Sequence, residues 1–329
     1  MNSDILELQN LINGFKICCQ TEGKSPRTIE WYDAFLRRFR SFLDLNQLPT
    51  VIKQIDKAHI RHFIVYLQTE ATVPWSNKDL SPATIQGYVR TLKVFFSWAN
   101  REGYTESNIM AGIPVPKASI RVINTFTSDQ VSRLIEMCNQ GNGSKYRNLA
   151  IILLLLDSGI RISELTGVNL KDLDLSEGCI TIRNGKGGKG RIVPLSSLVN
   201  KVLWKYVNAY RPQPLTPKIE HLFLTENGLA LTKSGVQQML RRFGKQAGIS
   251  GVRCSPHTFR HTFAKNYLLN GGDIFSLQKI LGHSSLASVR IYLNLFAVDI
   301  KRQHQRFSPV DNMSEDRFFC SLIRGKLSG

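Results

Sequence analysis

The sequence predicts a mainly α protein with one small β-sheet (α+β), and three observations carry that prediction. In the first third, apolar residues recur at helical spacing between Ser-Pro starts and glycine stops. One stretch alone, residues 179–195, alternates in the manner of strands on either side of a glycine-rich turn. The chain then returns to helical periodicity. At 329 residues and 42% hydrophobic content it is long enough for two domains, each with its own core.

The N-terminal elements follow from their punctuation. Ile5 to Cys19 carries apolar residues on one face, and Gly23 ends that helix. Ser25-Pro26 restarts the chain, with Ser as N-cap and Pro in the first turn, for a helix from Pro26 to Leu45. Along it Arg27, Arg37, Arg38 and Arg40 run beside Trp31, Phe35, Phe39 and Phe42, a basic stripe next to an apolar one. Lys57 to Gln68 makes a third helix, and Ser81-Pro82-Ala83-Thr84 opens a fourth that runs through Trp98 to a stop at Gly103. Residues 1–107 are therefore expected to form a helical bundle with a basic face. Pro114 and Pro116 break helical continuity, so residues 108–126 are expected as a linker.

The second domain, residues 127–307, opens on a capping box, with Thr127 as N-cap and Gln130 three positions later. Tyr146 to Leu156 reads as a buried helix that Gly159 ends, and a new helix begins near Arg161. Glu164, three residues on, is spaced to orient the Arg161 guanidinium. Cys179 to Arg183 and Arg191 to Leu195 form the hairpin, whose turn holds Lys186 and Lys189. The turn lacks GxxxxGK[ST] and joins strand to strand, which excludes a nucleotide-binding P-loop. Helices over Ser197 to Tyr210 and Thr232 to Ala247 follow, the latter with Arg241, Arg242 and Lys245 toward its end. Next comes Ser255-Pro256-His257-Thr258-Phe259-Arg260-His261, which places His257 and Arg260 on one helical face. A zinc helix through His257 and His261 is disfavoured, because Thr258 stands where a zincin has Glu and Arg260 would repel the ion. His261 is expected to bond inside the fold. Finally Gly282-His283-Ser284-Ser285 marks a turn, and Leu286, Val289 and Leu293 place Tyr292 on a short helix after it.

Charge narrows the partner. The net charge is +18, and it is uneven: 14 basic against 11 acidic side chains in residues 1–117, and 29 against 14 in the rest. The second domain is the stronger expected phosphate binder. Six scattered cysteines show no CxxC or pairing rhythm, which suits reduced thiols and a cytoplasmic setting. The N-terminus has no signal-peptide pattern, and the longest apolar run, Leu149 to Leu156, is too short to span a bilayer.

The set Arg161, Lys186, His257, Arg260, His283 and Tyr292, in that order, resembles the catalytic signature of the tyrosine recombinases, or phage integrase family, which includes the Xer proteins. Local strings match as well: Ser158-Gly159-Ile160-Arg161-Ile162-Ser163-Glu164-Leu165, Gly185-Lys186-Gly187 with Arg191-Ile192-Val193-Pro194-Leu195, His257-Thr258-Phe259-Arg260-His261, and Leu281-Gly282-His283 with Tyr292. Ser158 stands where the family often has Thr, and Asn294 where a His often follows the tyrosine; neither touches the six positions.

The resemblance implies a SAM-like core-binding domain followed by a mixed α/β catalytic domain that together grip duplex DNA. It implies Tyr292 as nucleophile forming a 3′-phosphotyrosyl link, Arg161 and Arg260 on the non-bridging oxygens, His283 adding a hydrogen bond, Lys186 protonating the 5′-oxygen and His257 moving the tyrosine's proton. No cofactor and no metal are implied. Expected DNA contacts are Arg27, Thr28, Arg37, Thr84, Lys189, Arg191, Arg241 and Arg242. The expected assembly is a monomer in solution that becomes a homotetramer on two DNA sites, with an accessory DNA-bending or directionality factor and no membrane. Residues 308–329, with Phe318, Phe319, Leu322 and Ile323, are expected to dock on a neighbouring subunit. With no arm-binding domain before the bundle, the expectation is a core-site recombinase serving as integrase or excisionase of a mobile element. The alternatives are an Xer-type dimer resolvase, a relaxing topoisomerase and a catalytically silent DNA-binding protein on the same fold.

Overall fold

The structure is a computed structural model that describes residues 6–73, 76–117, 124–139, 144–183, 190–282, 304 and 308–310. Its packing divides the chain into two units, Met1–Arg121 and Val122–Gly329.

The first unit holds α1 (Leu8–Thr21), α2 (Pro26–Leu45), α3 (Lys57–Thr69) and α4 (Pro82–Arg101). Both Ser-Pro starts are built as expected, and in the same way: the Ser25 and Ser81 hydroxyls accept the amides of Thr28 and Thr84 and meet the hydroxyls of those threonines. An aromatic cluster fills the bundle. Phe35 stacks on Tyr88 at 3.8 Å, Phe39 meets Phe63 edge-on at 5.0 Å, and Phe15 meets Phe95 edge-on at 5.5 Å. Helices α2 and α4 touch across Gly87, where a Cβ would lie 2.9 Å from the Phe35 ring. Residues 108–117, read above as the start of a linker, pack on this unit. Met110 and Ile113 are buried in its core, and Gln86 donates to the Pro116 carbonyl at 2.7 Å. Pro114 and Pro116 stop a helix there, but the apolar side chains just before them still find the core.

The second unit is assembled around α6 (Lys145–Ser158), which buries Ala150, Ile151, Ile152, Leu154 and Leu155 and packs against α5 (Ser128–Asn139), α8 (Ser197–Lys205) and α10 (Pro256–Leu269). Burial on nearly every side explains its continuous apolar run. Thr127 and Gln130 exchange the two capping-box bonds. Gly159 ends α6 in the left-handed conformation, and the four-residue α7 (Ile162–Leu165) follows.

The sheet has three antiparallel strands in the order β1 (Leu173–Asp174), β2 (Cys179–Ile182), β3 (Arg191–Pro194), with Ile180 opposite Val193 and Ile182 opposite Arg191. Strand β1 was not expected, since two residues make no readable alternation. The expected helix over Ser197 to Tyr210 is α8 continued by a π turn, Tyr206–Tyr210, around the buried Tyr206. Past α9 (Lys233–Gln246) and α10 lies α11 (Ile274–Leu281), also unexpected, capped by the Asp273 carboxylate and ended by Gly282 at φ 63°. Phe263, Ala264 and Leu268 of α10 pack against Leu277 and Leu281 of α11. Among the described residues no helix is long and apolar enough to cross a membrane.

Candidate active site

The end of α11 organises the site. A helix leaves its last carbonyls without intrahelical partners, and cations stabilise that end. Here three arginines take three successive carbonyls. Arg191 Nε donates to Ile280 O at 2.7 Å, Arg260 Nη2 to Leu281 O at 2.7 Å, and Arg161 Nη2 to Gly282 O at 2.9 Å. The next residue is His283.

Each arginine is fixed a second time. Arg260, on α10 and buried, also donates from Nη1 to the Gly159 carbonyl at 2.7 Å. Arg161 donates from Nη1 to Glu164 Oε1 at 2.7 Å and from its backbone amide to Glu164 Oε2 at 2.9 Å. Arg191 bonds both Glu164 oxygens, at 2.8 Å each. Glu164 therefore accepts four bonds while its side chain is only 2% exposed. Burial alone would raise its carboxyl, but the hydrogen bonds from Arg191 and Arg161 prevail and hold it at about 2. It is ionised at any physiological pH.

Of the six expected catalytic residues, Arg161, His257 and Arg260 are described, and the two arginines converge on adjacent carbonyls. Lys186, His283 and Tyr292 lie outside the described residues, as do Lys189 and the segment from 311 onward. His257 is exposed at the start of α10. One turn on, His261 is half-buried. Burial, with His257 and Arg260 nearby, lowers its pKa and favours the neutral ring.

Among the expected DNA contacts, Arg27, Arg37, Arg241 and Arg242 are exposed, and Thr28 and Thr84 stand at the starts of α2 and α4. Arg191 is different. Its side chain is 11% exposed and its guanidinium bonds Glu164 and Ile280, so it faces protein rather than solvent. Its partners lie 27 and 89 positions away, beyond any local spacing rule. Two members of the expected basic stripe on α2 also turn inward: Arg38 donates to Thr72 O at 2.9 Å, and Arg40 to Gln9 Oε1 at 2.7 Å.

The comparisons with known proteins agree with this architecture. The model of the phage integrase family matches residues 124–297, and that of the phage integrase SAM-like domain matches residues 10–118. The chain belongs to the phage integrase family, the tyrosine-type site-specific recombinases. It is 30% identical to tyrosine recombinase XerD of Listeria monocytogenes serovar 1/2a over 87% of this chain and 94% of that one. It is 29% identical to tyrosine recombinase XerC of Halalkalibacterium halodurans over 88% and 95%. Its fold is similar to that of a XerH site-specific recombinase in a post-cleavage complex with palindromic difH substrate, at a TM-score of 0.69 and 24% identity over 92% of this chain and 85% of that one. It is also similar to that of a lambda integrase dimer on a COC′ core site, at 0.67 and 19% over 86% and 97%.

Proposed function

We propose that this chain cleaves and rejoins duplex DNA at a specific site through a 3′-phosphotyrosyl intermediate and exchanges strands through a Holliday junction. The supporting observation is the convergence of Arg161 and Arg260 on the carbonyls of Gly282 and Leu281, immediately before His283. Two planar guanidinium forks, one from the N-cap residue before α7 and one from α10, held at one point suit the non-bridging oxygens of a single phosphate, and their orientation is set before DNA arrives.

In this reading the Tyr292 oxygen forms a bond to phosphorus in line with the departing 5′-oxygen, whose bond to phosphorus breaks. His257 takes part in removing the tyrosine's proton, and Lys186 supplies one to the 5′-oxygen. Arg161, Arg260 and His283 carry the charge that grows on the phosphoryl oxygens. The phosphotyrosyl bond conserves the diester's energy, so a 5′-hydroxyl from a partner duplex reverses the step without a cofactor. The exposed arginines of α2 and α9 and the net charge of +18 serve backbone contacts. A homotetramer on two sites, an accessory DNA-bending or directionality factor and a cytoplasmic setting belong to the same proposal.

Integration or excision of a mobile element is the role proposed, on the apolar segment Phe318, Phe319, Leu322 and Ile323 that follows Tyr292. The XerD and XerC names of the relatives favour a second reading, resolution of replicon dimers. The test is a strand-transfer assay with two labelled duplexes carrying DNA that flanks the gene or a replicon dimer site. Recombinant duplexes with a Holliday intermediate support the proposal, and the productive site distinguishes the two roles. Relaxation of plasmid DNA without exchange, or binding without cleavage, would refute it.

A further inference from the structure

Arg191 stands at the root of the hairpin whose loop contains Lys186, paired with Ile182 across the two strands. From there its guanidinium reaches two other parts of the site. One edge bonds both oxygens of Glu164, which holds the side chain and the backbone amide of Arg161. Its Nε bonds the Ile280 carbonyl, three residues before His283. A separate observation points to the same group. Gly282, at φ 63°, lies against it so closely that a Cβ would sit 3.0 Å from Arg191 Nη1 and 3.1 Å from Cδ and Cζ. The turn leading to His283 is thus laid directly on the Arg191 guanidinium.

We propose that Arg191 is a positioning residue for strand cleavage: it sets Arg161 through Glu164 and fixes the turn before His283 through the Ile280 carbonyl, without itself touching DNA. The inference rests on the function proposed above. Only arginine offers a fork matched to a carboxylate together with a third donor at Nε, so lysine keeps the charge but cannot make all three bonds. A displacement of about 1 Å in a phosphate-binding group costs on the order of 100-fold in rate.

The experiment compares wild type with Arg191→Lys and Arg191→Met in single-turnover cleavage of a nicked duplex of gene-flanking DNA at saturating protein. Equilibrium DNA binding and near-UV circular dichroism are measured on the same preparations. The expected result is a cleavage rate constant lower by about 100-fold in both variants, with DNA affinity within about threefold of wild type. Gly282→Ala, whose Cβ would lie against the same guanidinium at a strained φ of 63°, is expected to slow cleavage as well. Combined with Arg191→Met it should cost less than the product of the two single effects. A wild-type rate constant with a smaller active fraction, or variants that both fail to fold, would reduce Arg191 to a stabilising residue and overturn the inference. Weaker DNA binding with an unchanged rate at saturation would make it a DNA contact and overturn it too. A wild-type protein that binds these duplexes and never cleaves them marks the failure of the underlying function instead, and the inference falls with it.

Discussion

Replacing Glu164 by Gln removes the charge that two buried or half-buried arginines share, and its cost follows from the geometry. The carboxylate accepts four hydrogen bonds, three from guanidinium groups and one from the Arg161 amide. Glutamine offers one acceptor oxygen and turns an NH2 group toward donors. A carboxyl held at about 2 rather than 4.5 corresponds to about 3 kcal/mol of folded-state stabilisation at neutral pH. The range of about 3–5 kcal/mol for breaking one side of a buried ion pair is consistent with that figure. For a unit of this size the midpoint of thermal unfolding should fall by about 10 °C. Because the folded value lies below the unfolded one, the stabilisation is complete above about pH 4.5 and disappears as the pH falls toward 2. Calorimetry of both proteins at pH 7, 5, 4 and 3 reads the second unit's transition. Wild type should lose its advantage over Glu164→Gln progressively below pH 4.5. Equal stability at pH 7, or a gap that stays constant down to pH 3, would refute the reasoning.

Three further predictions address the scaffold and the DNA surface. Gly159→Ala places a Cβ 2.6 Å from Phe263 Cδ1 and 2.8 Å from Leu281 Cδ2 at a backbone φ of 58°, so denaturant unfolding should show a loss of about 2–3 kcal/mol. Ser25→Ala and Ser81→Ala each delete one N-cap acceptor in the first unit, and urea titration should show about 1 kcal/mol lost per site, adding in the double variant. Arg241→Ala and Arg242→Ala should each flatten the dependence of log Kd on log salt by about 0.9 if the side chain meets a phosphate; an unchanged slope removes that residue from the interface.

Local chemistry was legible wherever the partners are close in sequence. The Ser-Pro helix starts, the Thr127–Gln130 capping box and the Arg161–Glu164 pair are all three-residue relationships, and each is built as its spacing suggests. The hairpin was legible from alternation around a glycine-rich turn. Helix α11 escaped notice although Asp273 and Gly282 bracket it as N-cap and C-terminal stop, because eight residues give too few periods to stand out. Arg38, Arg40 and Arg191 were read as a surface because arginine usually is one. Their acceptors, Thr72, Gln9 and the Glu164–Ile280 pair, are brought close only by tertiary folding. Met110 and Ile113 show the reverse: Pro114 and Pro116 just after them suggest a linker, yet these apolar side chains, with the Gln86 bond to the Pro116 carbonyl, hold the segment on the first core.

The central claim is that Tyr292 attacks DNA. The direct measurement is covalent capture: wild type and Tyr292→Phe are mixed with end-labelled, nicked duplexes from gene-flanking DNA, and the products are separated on a denaturing protein gel. The account predicts a slow protein–DNA band with wild type, abolished in Tyr292→Phe while DNA binding persists. A band that survives in Tyr292→Phe, or none from wild type on a duplex it binds tightly, would contradict it.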